Sequence, residues 1–190
     1  MNFRIGYGYD VHRLAEGESL WLGGILVPHS KGTVAHSDGD VLIHALCDAM
    51  LGAAKMGDIG RHFPDTSSEY KNIDSKVLLV KTNELIASKN YRIGNLDVTI
   101  SAQKPKLKPF IPEMEETISR LLDIDVDAVS IKATTTEELG FEGREEGISV
   151  HAVVLLVSDI TNKIRKGLDD SEEGRLNTTE EAREKLKKWL

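Results

Sequence analysis

The chain carries one cysteine, Cys47, in 190 residues. No intramolecular disulfide can form, and a reducing compartment is the default. Cys47 falls among apolar residues with helical spacing, the setting of an inert buried thiol. Positive charge is also scarce: 24 basic against 31 acidic residues leave a net charge of -7. That argues against broad nucleic-acid binding through a basic surface, which draws its affinity from neutralised phosphates. Small anions would have to be met locally, by a metal ion, a few cations and backbone amides. No apolar run reaches membrane-spanning length, and no secretory leader precedes the strand-like Phe3-Arg4-Ile5-Gly6-Tyr7. The expectation is a cytoplasmic protein with neither nucleic-acid nor membrane partners. No Ser-His-Asp or reactive-cysteine arrangement stands out, and there is no internal repeat.

What is present suffices for one full core, at 40% hydrophobic and 29% charged residues. Strands are expected at about 3 to 9 and from Leu20 to Val27, the latter broken by Gly23-Gly24 into a hairpin. His29 to Ser37 reads as a mobile loop. A helix follows with Ser37 or Asp38 as its cap and ends near Gly57. Asp58 to Asn72 reads as a long loop and Ser75 to Ala87 as a helix. Leu96, Val98, Ile100 and Ala102 alternate with polar residues, as in a half-buried strand. A helix bearing Ile111, Met114, Ile118, Leu121 and Leu122 comes next, then strands at Val129 to Thr134 and Ile148 to Val157. Strands and helices without strict alternation predict an α+β fold, a sandwich of a mixed sheet and helices, over residues 1–158. Residues 159–190 form a charged extension, in which Thr178 onward reads as a capped helix.

Two clusters carry chemistry. Asp10 and His12 are two apart, so on a continuing strand they share a face. His44, four residues after Asp40 and four before Asp48, lies on one helical stripe with them. Two imidazoles and a carboxylate are the ligands of a zinc ion with one open position, and Asp40 and Asp48 could orient the imidazole from behind. A surface His-Asp hydrogen bond would read the same way at Asp10 and His12 alone. In the second cluster, Lys132 to Gly147, threonine hydroxyls, amides, Glu137 and Arg144 follow a strand, a composition that can hold a diphosphate and a divalent ion. Threonines also occur there as plain strand surface.

The combination Gly6-Tyr7-Gly8-Tyr9-Asp10-Val11-His12, Ala35-His36-Ser37-Asp38-Gly39-Asp40, Gly57-Asp58-Ile59-Gly60, Ala102-Gln103-Lys104-Pro105-Lys106 and Ala133-Thr134-Thr135-Thr136-Glu137 resembles the 2-C-methyl-D-erythritol 2,4-cyclodiphosphate synthase family over residues 2 to 158. The resemblance implies a homotrimer with active sites between subunits. It implies conversion of 4-diphosphocytidyl-2-C-methyl-D-erythritol 2-phosphate to the cyclic diphosphate with release of CMP, in the non-mevalonate route. Asp10, His12 and His44 would bind zinc, and Glu137 a magnesium or manganese ion between the substrate phosphates. His36 and Ser37 would lie against the phosphates. Asp58, Ile59, Gly60, Phe63 and Asp65 would line the methylerythritol pocket. Ala102, Gln103, Pro105, Lys106, Leu107, Ala133, Thr134 and Thr135 would form the cytidine pocket from the neighbouring subunit, with Lys106 near the phosphates. His36, Ser37, Asp58, Lys106, Thr135 and Glu137 would be the catalytic set. Phe141 and Arg144 would stand near the threefold axis, where the family is reported to hold an isoprenoid diphosphate.

Ser67 and Lys104 depart from the family pattern, leaving the loop and the nucleotide approach less defined. A plastid stroma replaces the cytoplasm if a transit peptide has been removed. Two other classes use the same residues: a metal-dependent phosphohydrolase, and a non-catalytic trimer that binds an isoprenoid diphosphate.

Overall fold

The computed structural model describes residues 3–64, 70, 73–158, 168–174 and 178–187. They fall into two compact units, Met1–Ser158 and Asp159–Leu190. In the first, β1 (Phe3–Glu16), β4 (Lys31–Thr33), β5 (Tyr91–Ser101), β6 (Val129–Thr134) and β7 (Gly147–Ser158) form one sheet in the order β4-β1-β7-β5-β6. All pairs are antiparallel except β5 and β6. The parallel pair is joined by helix α4 (Ile111–Leu122), as a parallel crossover requires. Helices α1 (Val41–Ala53) and α3 (Ser75–Ser88) complete the helical layer, with α1 against β1 and β7. Leu42, Ile43, Leu46, Met50, Leu79, Ile86, Leu96, Ile100 and Met114 form the centre of the core. The mixed sheet packed on helices is the expected α+β class.

The alternation of β1 places its residues unusually. Gly6, Gly8, Asp10, His12 and Leu14 face α1, while Phe3, Ile5, Tyr7, Tyr9 and Val11 are exposed on the opposite face. Small residues at the contact explain the arrangement. Ala45, Ala49 and Ala53 recur every four residues along α1 and meet the two glycines, so the helix backbone lies directly on the strand. A Cβ on Gly6 would sit 1.8 Å from the Ala49 carbonyl oxygen.

Several expectations are corrected. The first strand runs on to Glu16, because its far end gains a partner: Leu14, Ala15 and Glu16 pair with Thr33, Gly32 and Lys31. The segment read as a mobile loop, His29 to Ser37, therefore contains β4. The cap of α1 is Asp40, neither Ser37 nor Asp38. Its buried carboxylate accepts from Ile43 N at 3.0 Å, Gly23 N at 3.0 Å and Gly24 N at 2.6 Å. Gly23 and Gly24, at φ 63° and 79°, make the two-residue turn between β2 (Leu20–Leu22) and β3 (Ile25–Val27). One side chain thus fastens the hairpin to the helix start. Helix α1 ends at Ala53, ahead of the expected Gly57, with Lys55 left-handed at φ 58°. The region from Asp58 includes a short helix, α2 (Ile59–His62), capped by Asp58.

In the second unit, helix Thr179–Leu186 begins with a capping box. Glu181 N donates to Thr178 Oγ1 and Thr178 N donates to the Glu181 carboxylate.

Candidate active site

The close strand and helix bring Asp10 and His12 of β1 against His44 of α1, with one ligand atom from each lying within 4.8 Å of the others. Asp10 Oδ2 is 3.2 Å from His12 Nδ1 and 3.2 Å from His44 Nδ1. The His12 contact lacks hydrogen-bond geometry, which leaves His12 Nδ1 a buried nitrogen without a hydrogen-bond partner. An orphaned imidazole nitrogen beside a shared carboxylate and a second imidazole suits a zinc-type ion, so the residues present fit the group. Among the described residues this is the group of three or more such side chains that could hold a metal.

Burial alone would raise the Asp10 pKa, but the facing His12 and His44 imidazoles, His44 through a hydrogen bond, hold the carboxyl far below the usual range. His44 is its counterpart. Burial pushes its pKa down, and Asp10, with Asp40 and Asp38 further away, more than offsets that, giving a net raised value. His44 Nε2 turns the other way, 3.0 Å from Ser75 Oγ and 3.2 Å from Ser37 Oγ. The expected support from Asp40 and Asp48 is not what the structure shows. Asp40 is used on three backbone donors, and Asp48 accepts from Ile59 N at 2.7 Å. Cys47 stays out of the cluster, its thiol pushed up to about 12 by burial.

The triad opens on a cavity of about 360 Å³ lined by His12, His44, Ala35, His36, Ser37, Ile59, Gly60, Phe63, Tyr70 and Leu78. His36 and Ser37 come from the segment between β4 and α1. Ile59 and Gly60 come from α2, which the Asp48 bond ties to α1, the helix that carries His44. A second cavity of about 400 Å³ has Ala102, Gln103, Pro105, Lys106, Leu107, Ile131, Lys132, Ala133, Thr134 and Thr135 in its wall. Beyond that wall the chain turns through Glu137 and Glu138, both left-handed at φ 52° and 65° although neither is glycine. Thr135 Oγ1 donates to Glu137 Oε1 at 2.6 Å and holds the carboxylate beside the threonines. Among the described residues none lines both cavities.

A family model described as the YgbB family matches residues 3–157. The chain is 64% identical over 159 residues to the 2-C-methyl-D-erythritol 2,4-cyclodiphosphate synthase of Bacteroides thetaiotaomicron, covering 84% of this chain and 100% of that protein. A solved 2C-methyl-D-erythritol-2,4-cyclodiphosphate synthase in a CDP-bound form is similar with TM-score 0.76 and 38% identity, over 81% of this chain and 100% of that one. This chain belongs to the YgbB family. The bifunctional IspDF from Campylobacter jejuni is similar with TM-score 0.80 and 43% identity over 83% of this chain, which spans 42% of that longer one.

Asp58 is exposed, accepts from Arg61 N at 2.9 Å and is not in the lining of the first cavity. Asp65 and the departure at Ser67 lie outside the described residues. Lys104 pairs with Glu145 at 2.8 Å, which ties the turn of the second cavity to the loop before β7. Phe141 and Arg144 line neither cavity. Arg144 is instead held by Glu146 through two contacts of 3.0 and 2.9 Å. Sequence reasoning missed Ser75, Tyr70 and Leu78 as parts of the first site. Ser75 was visible only as a helix start, and nothing in the spacing joins it to His44.

Proposed function

We propose that the chain cyclises 4-diphosphocytidyl-2-C-methyl-D-erythritol 2-phosphate to 2-C-methyl-D-erythritol 2,4-cyclodiphosphate with release of CMP, in the non-mevalonate route to isoprenoid precursors. One observation carries the reading: two members of the Asp10, His12 and His44 cluster, His12 and His44, line a cavity that also presents His36, Ser37, Ile59 and Gly60. The near full-length likeness to curated synthases supports it.

The chemistry is an internal displacement. An oxygen of the 2-phosphate attacks the β-phosphorus, the bond from that phosphorus to the bridging oxygen breaks, and CMP leaves with the electron pair. The attacking oxygen is already ionised, so no side-chain base has to create it. Asp10, His12 and His44 would hold zinc and Glu137 a magnesium or manganese ion, cations that offset phosphate repulsion and polarise the β-phosphate when bound. The protein's own task is position. His36 and Ser37 would steady the phosphates, while Asp58, Ile59, Gly60, Phe63 and Asp65 would enclose the methylerythritol end. Ala102, Gln103, Pro105, Leu107, Ala133 and Thr134 would receive cytidine, with Lys106 and Thr135 reaching back towards the phosphates. Holding the two ends in line can supply roughly 7 to 11 kcal/mol in a well-oriented intramolecular step.

A substrate with unlike ends needs both cavities at one place, and adjoining subunits supply that arrangement. We assign a homotrimer with interfacial sites. The supporting feature is the outer face of β1, where Phe3, Ile5 and Tyr7 are 62%, 66% and 60% exposed, with Tyr9, Val11 and Val153 beside them. Such a patch on a sheet calls for a cover. Phe141 and Arg144 are assigned to a central cavity that takes an isoprenoid diphosphate, for which Arg144 would have to leave Glu146. The single buried thiol of Cys47 is consistent with a cytoplasmic setting, and among the described residues no helix is long and apolar enough to cross a membrane.

Phosphorus NMR of the purified protein with this substrate, zinc and magnesium tests the proposal. A cyclic diphosphate appearing with CMP, and lost on chelation, is the expected result. CMP with only open-chain phosphates would replace synthase by phosphohydrolase, and absence of turnover would leave a binding trimer.

A further inference from the structure

The two nitrogens of His44 face different partners, and their surroundings assign the proton. Nδ1 points to Asp10 Oδ2 and the orphaned His12 nitrogen, whereas Nε2 points to Ser75 Oγ at 3.0 Å. A neutral imidazole has one N–H and one lone pair, so only one of these sides can ligate an ion. Ser75 is fully buried at the first position of α3, and its hydroxyl lies 2.5 Å from Asp38 Oδ1. A carboxylate only accepts, so the Ser75 proton goes to Asp38. Ser75 Oγ is then left as an acceptor towards His44.

Asp38 is itself fixed. Its Oδ2 accepts from Ser75 N at 2.9 Å and its Oδ1 from Asp40 N at 3.2 Å, while its own N–H donates to the Ile73 carbonyl at 3.1 Å. It also lies at the N-terminus of a 14-residue helix, where negative charge is stabilised. The other neighbour of Nε2, Ser37 Oγ, accepts from Gly39 N at 3.1 Å and keeps its own proton free to donate. Ser37 alone would therefore permit the opposite tautomer.

We propose that Ser75, oriented by Asp38, is a positioning residue of the metal centre: its hydroxyl oxygen accepts a hydrogen bond from the Nε2–H of His44 and leaves Nδ1 as the lone pair facing Asp10 and His12. This rests on the reading of that triad as a zinc site. Losing such an outer hydrogen bond characteristically weakens a metal site by about 10- to 100-fold.

The experiment is zinc affinity by competition with a chromogenic chelator for the full-length wild type, Ser75→Ala, Ser75→Thr and Asp38→Asn. It is paired with nitrogen-15 NMR of the histidine rings in the zinc-loaded wild type. Ser75→Ala should lose about 10- to 100-fold in affinity, Ser75→Thr should recover most of it, and Asp38→Asn should fall with the alanine variant. The spectrum should show His44 protonated at Nε2 and coordinated at Nδ1. It needs no variant, so it decides even if Ser75→Ala fails to fold. Equal affinity of Ser75→Ala and wild type, or coordination through Nε2, overturns the relay while leaving the zinc site intact. A wild type that binds no zinc overturns the triad reading, and the relay with it.

Discussion

Adding one methyl group at Gly8 should separate the candidate site more effectively than many changes within it. A Cβ built there lies 2.0 Å from the Ala45 carbonyl oxygen and 2.8 Å from Ala49 N. Ordinary contact begins near 3.4 Å, so α1 must retreat by about 1.4 Å at Ala45. Backbone cannot rotate away as a flexible side chain can, which places Gly8→Ala at the upper end of overpacking, about 3 kcal/mol. For a domain of this size that is a fall of roughly 6 to 12 °C in melting temperature. His44 precedes Ala45 and moves with it, whereas metal ligands tolerate displacements of only about 0.2 Å. Zinc affinity should therefore drop at least tenfold. Gly52→Ala is the matched control in the same helix: its added methyl meets nothing within 4 Å, and it should stabilise by about 0.5 to 1 kcal/mol through helix propensity. Urea unfolding in EDTA gives the stabilities and chelator competition the affinities. A Gly8→Ala protein that matches wild type in both would refute the close-packing argument.

Asp10→Ala should abolish zinc binding and cyclisation with the fold retained, since one partly exposed ligand is lost; full zinc occupancy in the folded variant would contradict the assignment. Asp40→Ala should cost about 3 kcal/mol or more, because three backbone donors lose their acceptor, and an unfolding midpoint near wild type would show that other acceptors replace it. Glu137→Ala should weaken the magnesium requirement of turnover while zinc content is unchanged; an unaltered magnesium titration would count against the second-ion role. The pH dependence follows from His44. Its pKa is raised in the metal-free fold, so its contribution to stability is complete below the unfolded value of about 6.5 and is lost as pH rises through the folded value. In EDTA the advantage of wild type over His44→Gln in melting temperature should shrink as pH rises from about 6 to 9, and a gap that widens would reverse the sign.

How much of this was legible in the sequence depended on whether a signal was periodic. The alternation of Leu96, Val98 and Ile100 and the helical spacing of Met114, Ile118 and Leu122 translate directly into buried faces. The spacing of Asp10 and His12 likewise placed both on one side of a strand. Partner choice was less legible, because any buried carboxylate near a helix start can cap, support a ligand or hold another loop. Asp40 took the hairpin glycines, Asp48 took Ile59, and support for His44 came from Ser75, 31 residues away. Strand β4 was missed because a Lys-Gly-Thr edge of three residues has no pattern of its own and exists through its register with β1.

Strand β1 joins the two halves of the proposed function. Its period of two sends Gly6, Gly8, Asp10 and His12 to the helix and Ile5, Tyr7, Tyr9 and Val11 outward, so one strand contributes to the candidate metal site on one face and presents an apolar surface on the other. A slip of one residue would exchange the sets, placing tyrosines against the backbone of α1 where there is no room for even a Cβ. The glycines therefore specify register as well as allowing close approach. Pairing with β7 from Phe3 through Arg13 carries that register along the strand and opposes Tyr9 to His151, with their rings 4.9 Å apart on the exposed face. A partner subunit covering that face would bear on the same strand that sets Asp10 and His12, and would couple assembly to the geometry of the candidate metal ligands through a single element.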